Sequence, residues 1–81
     1  MTGLLSAVRA EADLAAARYG APKSTHEALG VLTEEYVELI QAIHGNRMDR
    51  IRAEAVQIAA AALRLAEACE EETGFIGRST K

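Results

Sequence analysis

The stretch "LTEEYVELIQAIHGNRMDRIRAEAVQIAAAALRLAEA", residues 32–68, decides the fold. On both sides of Gly45 the apolar residues recur at three- and four-residue steps, the period of a helix with one buried face. Before the glycine the row is Leu32, Tyr36, Leu39 and Ile43. After it the row is Ile51, Ala55, Ile58, Ala62 and Leu65. Gly45 closes the earlier helix. Asn46 is a good cap for the later one, and Asp49 lies in its first turn, where a negative charge is favoured. Two helices joined by so short a turn run antiparallel. The later helix is rich in alanine on nearly every side and meets no Gly or Pro before about Thr73. Small residues let neighbours come close, so this helix is expected to be the central one.

Outward from that pair, "STHE" at residues 24–27 is a helix start. Ser24 can cap the free amides while Glu27, three residues on, reaches back. The helix is therefore expected over about 25–44, its apolar row beginning at Ala28 or Leu29. Gly30 sits inside it and costs up to ~1 kcal/mol against alanine; it is either a tolerated defect or a point of close approach by another backbone. A further helix is expected over about 4–19, with Leu4, Leu5, Val8, Ala12, Ala15 and Tyr19 on one stripe. Gly20 stands where a helix ends in a left-handed residue, and Pro22 blocks continuation. The third helix is expected over about 47–73. Residues 1–74 then form one domain, and "GFIGRSTK" supplies a tail at 75–81.

The fold class is all-α: three helices with short connections in an antiparallel, up-down-up bundle. With 81 residues the core is small, and a domain of this size buries only roughly 60% of its unfolded surface. One apolar face stays uncovered. Helices two and three are expected to pair with those of a second copy and complete a four-helix core by dimerisation.

Composition narrows the class of function. The net charge is −3 and no basic run occurs, which argues against nucleic-acid binding. No apolar run reaches the ~18 residues of a membrane span. "MTGLLSAVRA" has neither the cationic region nor the long apolar region of a secretory signal. Cys69 is the one cysteine, so no internal disulfide forms. The expected location is the cytoplasm.

The chemistry lies in the carboxylates. Residues three apart on a helix point the same way. Glu35 and Glu38 form one pair on helix two, and Glu54 and Gln57 another on helix three. Glu38 lies about 10 Å along the axis from the turn at 1.5 Å per residue, and Glu54 lies at a similar height beyond it. The pairs can therefore face each other. Either they are solvated flanks balanced by Arg47, Arg50 or Arg52, or a hard cation such as Mg²⁺ or Mn²⁺ joins them through oxygen. Lys23 and His26, at the start of helix two where a phosphate is favoured, and Arg78 in the tail are candidate substrate-binding residues. No Gly-rich phosphate loop, zinc spacing or nucleophile triad is present.

Taken together, "LTEEYVELIQAI" and "RAEAVQIAAAALRLAEA" resemble the MazG-like, all-α nucleoside triphosphate pyrophosphohydrolases. That family carries E-x-x-E on one helix and E-x-x-D on the next. Glu35, Glu38 and Glu54 match the first three positions, and Gln57 stands where the aspartate belongs. The likeness covers about residues 26–67. It implies Mg²⁺ (Mn²⁺ in its place) held by Glu35, Glu38, Glu54 and Gln57, and hydrolysis of a nucleoside triphosphate to monophosphate and pyrophosphate. It further implies a dimer or tetramer, with house-cleaning of the nucleotide pool as a role. Glu34, beside the ligand face, would position or deprotonate the attacking water. An amide at residue 57 binds a cation neutrally and more weakly than a carboxylate. One alternative is therefore a weakened or inactive helical module for oligomerisation or nucleotide binding. A second is the related phosphoribosyl-ATP pyrophosphohydrolase, which shares the helical plan.

Overall fold

The computed structural model describes residues 2–71 and is all-helical over them. Helix α1 spans Thr2–Tyr19, α2 spans Thr25–His44 and α3 spans Met48–Glu70. Helix α3 is central: α1 and α2 each pack on it and not on one another.

The ends of the helices follow from specific residues. At Gly20 the chain turns left-handed, with φ 76°, and its N–H reaches the Ala16 carbonyl at 2.9 Å, a simple left-handed stop. The Ser24 hydroxyl accepts from the Glu27 amide at 3.0 Å. The Glu27 carboxylate reaches past Ser24 and accepts from the Lys23 amide at 2.5 Å. The expected box is thus present with its second bond shifted by one residue.

The turn between α2 and α3 differs from the expectation. Asn46 is not the cap of α3. It takes φ 58° and closes α2, its N–H bonding Ile43 O at 3.0 Å while the Arg47 N–H bonds Ala42 O at 3.3 Å. This paired closure is the Schellman motif, with asparagine in the position glycine usually holds. Asparagine tolerates a left-handed backbone because its short polar side chain hydrogen-bonds locally. Arg47 becomes the cap of α3, without a side-chain bond. At the far end Glu71 has already left helical geometry, short of the expected Thr73, which lies outside the described residues. The last turn carries Glu70 and no basic residue, so negative charge meets the negative end of the helix dipole.

The core is made of small side chains. The buried apolar residues are Ala12, Ala28, Ala42, Val56, Ala60 and Ala68. Alanine lets the axes approach but gives little transfer energy, so no large side chain of the described residues is fully buried. The expected rows were right in period and partly wrong in phase. On α2, Leu32 and Leu39 are half-buried, but Tyr36 and Ile43 face outward. On α3, Ile51, Ile58 and Leu65 are half-buried, while Ala55 and Ala62 are exposed. On α1, Ala12 is buried, while Leu4, Leu5 and Tyr19 are exposed. Gly30 is exposed and a Cβ there would meet nothing within 4 Å, so no backbone of the described chain exploits it.

Candidate metal centre

Glu35 and Glu38 project from α2 one turn apart, and Glu54 meets them from α3. One carboxylate oxygen from each lies within 4.8 Å of the others. Ligand oxygens of an octahedral Mg²⁺ at about 2.1 Å stand at most about 4.2 Å apart. Adjacent ones stand about 3 Å apart, so the three carboxylates would draw closer to share one ion. Their exposures differ: Glu38 is exposed, Glu35 half-buried, and Glu54 buried with 8% of its surface accessible.

Such an arrangement is costly without a counter-charge. Two carboxylates at that separation repel by roughly 3 kcal/mol at an effective dielectric constant of about 20. The nearest cation is Arg50, one turn before Glu54 on α3, whose guanidinium donates to Glu54 Oε2 at a long 3.4 Å. Arg47 turns to Asp49 instead, at 3.8 Å. One half-exposed arginine against three carboxylates leaves the cluster under-compensated. Glu35 Oε1 and Glu54 Oε1 are both buried and have no hydrogen-bond partner. Buried polar atoms are seldom left so. The Glu35 carboxyl answers by holding its proton: its pKa rises from 4.5 to about 7. Burial is the largest cause, followed by a hydrogen bond that the protonated acid can share with Glu54, then by the charges of Glu38, Glu54 and Glu34. The donor set is hard oxygen, acidic and partly orphaned, and it fits Mg²⁺ or Mn²⁺.

Because α1 and α2 stay apart, a cleft of about 460 Å³ opens between them over α3. Its floor is Gln57, Ala60, Ala61 and Arg64, the i, i+3, i+4, i+7 face of α3. Glu34 and Glu35 line one side from α2, and Leu14 and Arg18 line the other from α1. Glu35 belongs both to the cluster and to the cleft, so a cation held by the carboxylates would stand at the cleft's edge.

The sequence-derived candidates separate here. Glu35, Glu38 and Glu54 are brought together; Gln57 and Glu34 line the adjoining cleft. Lys23 and His26 are exposed and do not line it, although Pro22 and Glu27 beside them do. Arg78 lies outside the described residues. The sequence reading missed Arg18 and Arg64. Arg64 did carry a signal: it is the first charged residue after Glu54, in an otherwise apolar run. Comparison of the chain with models of protein families, with curated proteins and with solved structures finds no match.

Proposed function

We propose that this chain is a Mg²⁺-dependent nucleoside triphosphate pyrophosphohydrolase of the MazG-like type. The observation that carries the reading is the convergence of Glu35, Glu38 and Glu54, two of them with buried, partnerless oxygens, at the edge of a cleft. The three carboxylates would hold the cation, and the Gln57 amide oxygen would assist from the cleft floor. Bound there, Mg²⁺ supplies neutralisation of the triphosphate charge and of the charge that develops in transfer. Glu34, exposed and lining the same cleft, would orient the attacking water and take its proton. Attack at the α-phosphorus breaks the α–β anhydride bond and releases monophosphate and pyrophosphate.

A homo-oligomer belongs to the same proposal. Leu29, Tyr36 and Ile43 recur every seven residues on α2 and are 58%, 57% and 52% exposed. A row of this kind on an outward face favours burial against a second copy. Among the described residues no helix is long and apolar enough to cross a membrane.

The test is release of pyrophosphate from a panel of nucleoside triphosphates with Mg²⁺ or Mn²⁺. Turnover that is lost with a chelator supports the proposal; none at high enzyme concentration sinks it. The rival, a helical module without hydrolysis, is favoured by Gln57 alone. Gln57→Asp separates them. A weakened site gains cation affinity and turnover from the added charge, whereas a packing position only loses stability.

A further inference from the structure

The proposed function uses the acidic side of the cleft and leaves the opposite end unexplained. Arg18 closes α1, and Arg64 lies on α3 seven residues after Gln57, about 10 Å along the same face. Both line the cleft. Among the described residues neither forms an ion pair with a carboxylate. The other charged residues of the cleft, Glu11, Glu27, Glu34 and Glu35, are all acidic.

Arg64 is also held in place. Its guanidinium donates to the carbonyl of Gly20, the left-handed residue that ends α1. Only one nitrogen is used, and the rest of the planar fork has no acceptor among the described residues. Ala60 and Ala61 lie between Gln57 and Arg64 on the floor. With methyl side chains they leave the length of the groove clear for a ligand. The cleft therefore has Glu34 and Glu35 toward the carboxylate cluster and, beside Gly20, two guanidiniums without ion pairs, with Glu11 and Glu27 also in its lining.

We propose that Arg18 and Arg64 form the phosphate-binding end of this cleft and take the terminal phosphates of a nucleoside triphosphate. Guanidinium forks match phosphate oxygens in pairs, which makes arginine the preferred residue for such contacts. A polyphosphate spanning the groove meets a cation at each end: the metal held by the carboxylates at one, the arginines at the other. The inference rests on the pyrophosphohydrolase reading and adds to it a preference for triphosphates over monophosphates. Arg18 and Arg64 would also stabilise the pyrophosphate as it leaves, since negative charge builds on it when the α–β bond breaks.

Calorimetric titration of inorganic triphosphate with Mg²⁺ present tests this, with Mn²⁺ binding measured separately on the same proteins. Arg18→Gln and Arg64→Gln should each weaken triphosphate binding by about tenfold, the scale of one charge-assisted hydrogen bond. Mn²⁺ affinity should stay unchanged. Arg64→Lys keeps the charge but loses the fork, so it should recover only part of the loss. Because Arg64 also braces Gly20, Arg18→Gln on the exposed end of α1 keeps the test independent of folding. Ala61→Leu, which fills the floor, should block triphosphate and spare Mn²⁺. Wild-type protein that binds Mn²⁺ but either fails to bind triphosphate or binds it equally well in both arginine variants overturns this inference and leaves the metal reading standing. Arginine-dependent triphosphate binding without any Mn²⁺ binding does the reverse. Failure to bind either ligand overturns both.

Discussion

The two faces of α3 use charge in opposite ways. Toward α1, the Arg9 guanidinium reaches Glu67 at 2.7 Å and Asp13 at 2.9 Å, and it holds the Glu67 carboxyl below the usual range. The pair is opposite in sign and exposed. Beneath it the contact is alanine, with Ala12 fully buried. Toward α2, three carboxyl groups meet with one arginine, 3.4 Å from Glu54, and Glu54 itself is buried. The first interface follows what packing and solvation favour. The second works against them, and the cation proposed above would relieve it.

That contrast is open to direct attack. The largest effect is expected at the cluster. Glu54→Gln keeps the shape but removes one charge, and should lower pyrophosphohydrolase turnover by about a hundredfold, the order seen when an active site loses an electrostatic partner. The same change should raise the stability of the metal-free protein by about 1 kcal/mol in urea titration, because a buried, poorly compensated carboxylate is gone. Loss of activity together with loss of stability would make Glu54 an ordinary structural residue.

On the other face the sensitive quantity is volume. Ala12→Leu should destabilise the fold by roughly 1–3 kcal/mol through overpacking, with cation binding at the cluster intact, as thermal melts with and without Mn²⁺ will show. A melting temperature equal to wild type would mean that α1 sits on α3 less closely than described.

Acid–base behaviour sharpens the comparison further. The Glu35 carboxyl titrates at about 7 in the folded protein against 4.5 ordinarily. Its raised value means that folding favours the protonated form. Its contribution to stability is complete below pH 4.5 and is lost as pH rises through 7. Metal-free protein should therefore weaken across that window, and added Mg²⁺ should restore stability most at its upper end. A denaturation midpoint that climbs steadily over the same window without metal would contradict this assignment. The smallest effect is expected at Arg9: Arg9→Ala should barely move the melting temperature, since exposed ion pairs contribute little.

Much of this was legible in the sequence, and what was not has physical causes. The limits of α2 followed from Ser24 and Gly45 because capping is local chemistry. Asn46 misled because asparagine suits both a helix start and a left-handed stop, and only the backbone bonds from Asn46 and Arg47 to Ile43 and Ala42 tell them apart. The phase of α2 was ambiguous because the helix carries two apolar faces. Ala28, Leu32, Leu39 and Ala42 turn inward with Glu35, while Leu29, Tyr36 and Ile43 turn out. The carboxylates were legible from i, i+3 spacing across a tight turn. The sharing of one cleft by Arg18 and Arg64 was not, because they are distant in sequence and come to line it only where α1 and α2 part over α3.

Glu35, Glu38 and Glu54 are proposed to bind a divalent cation together. Calorimetric titration of Mn²⁺ into the metal-free protein, below and above the Glu35 value of about 7, tests it most directly. Saturable binding is expected that tightens above that pH, releases a proton below it, and disappears in Glu54→Gln. Absence of binding at millimolar Mn²⁺, or binding that Glu54→Gln leaves untouched, would contradict it.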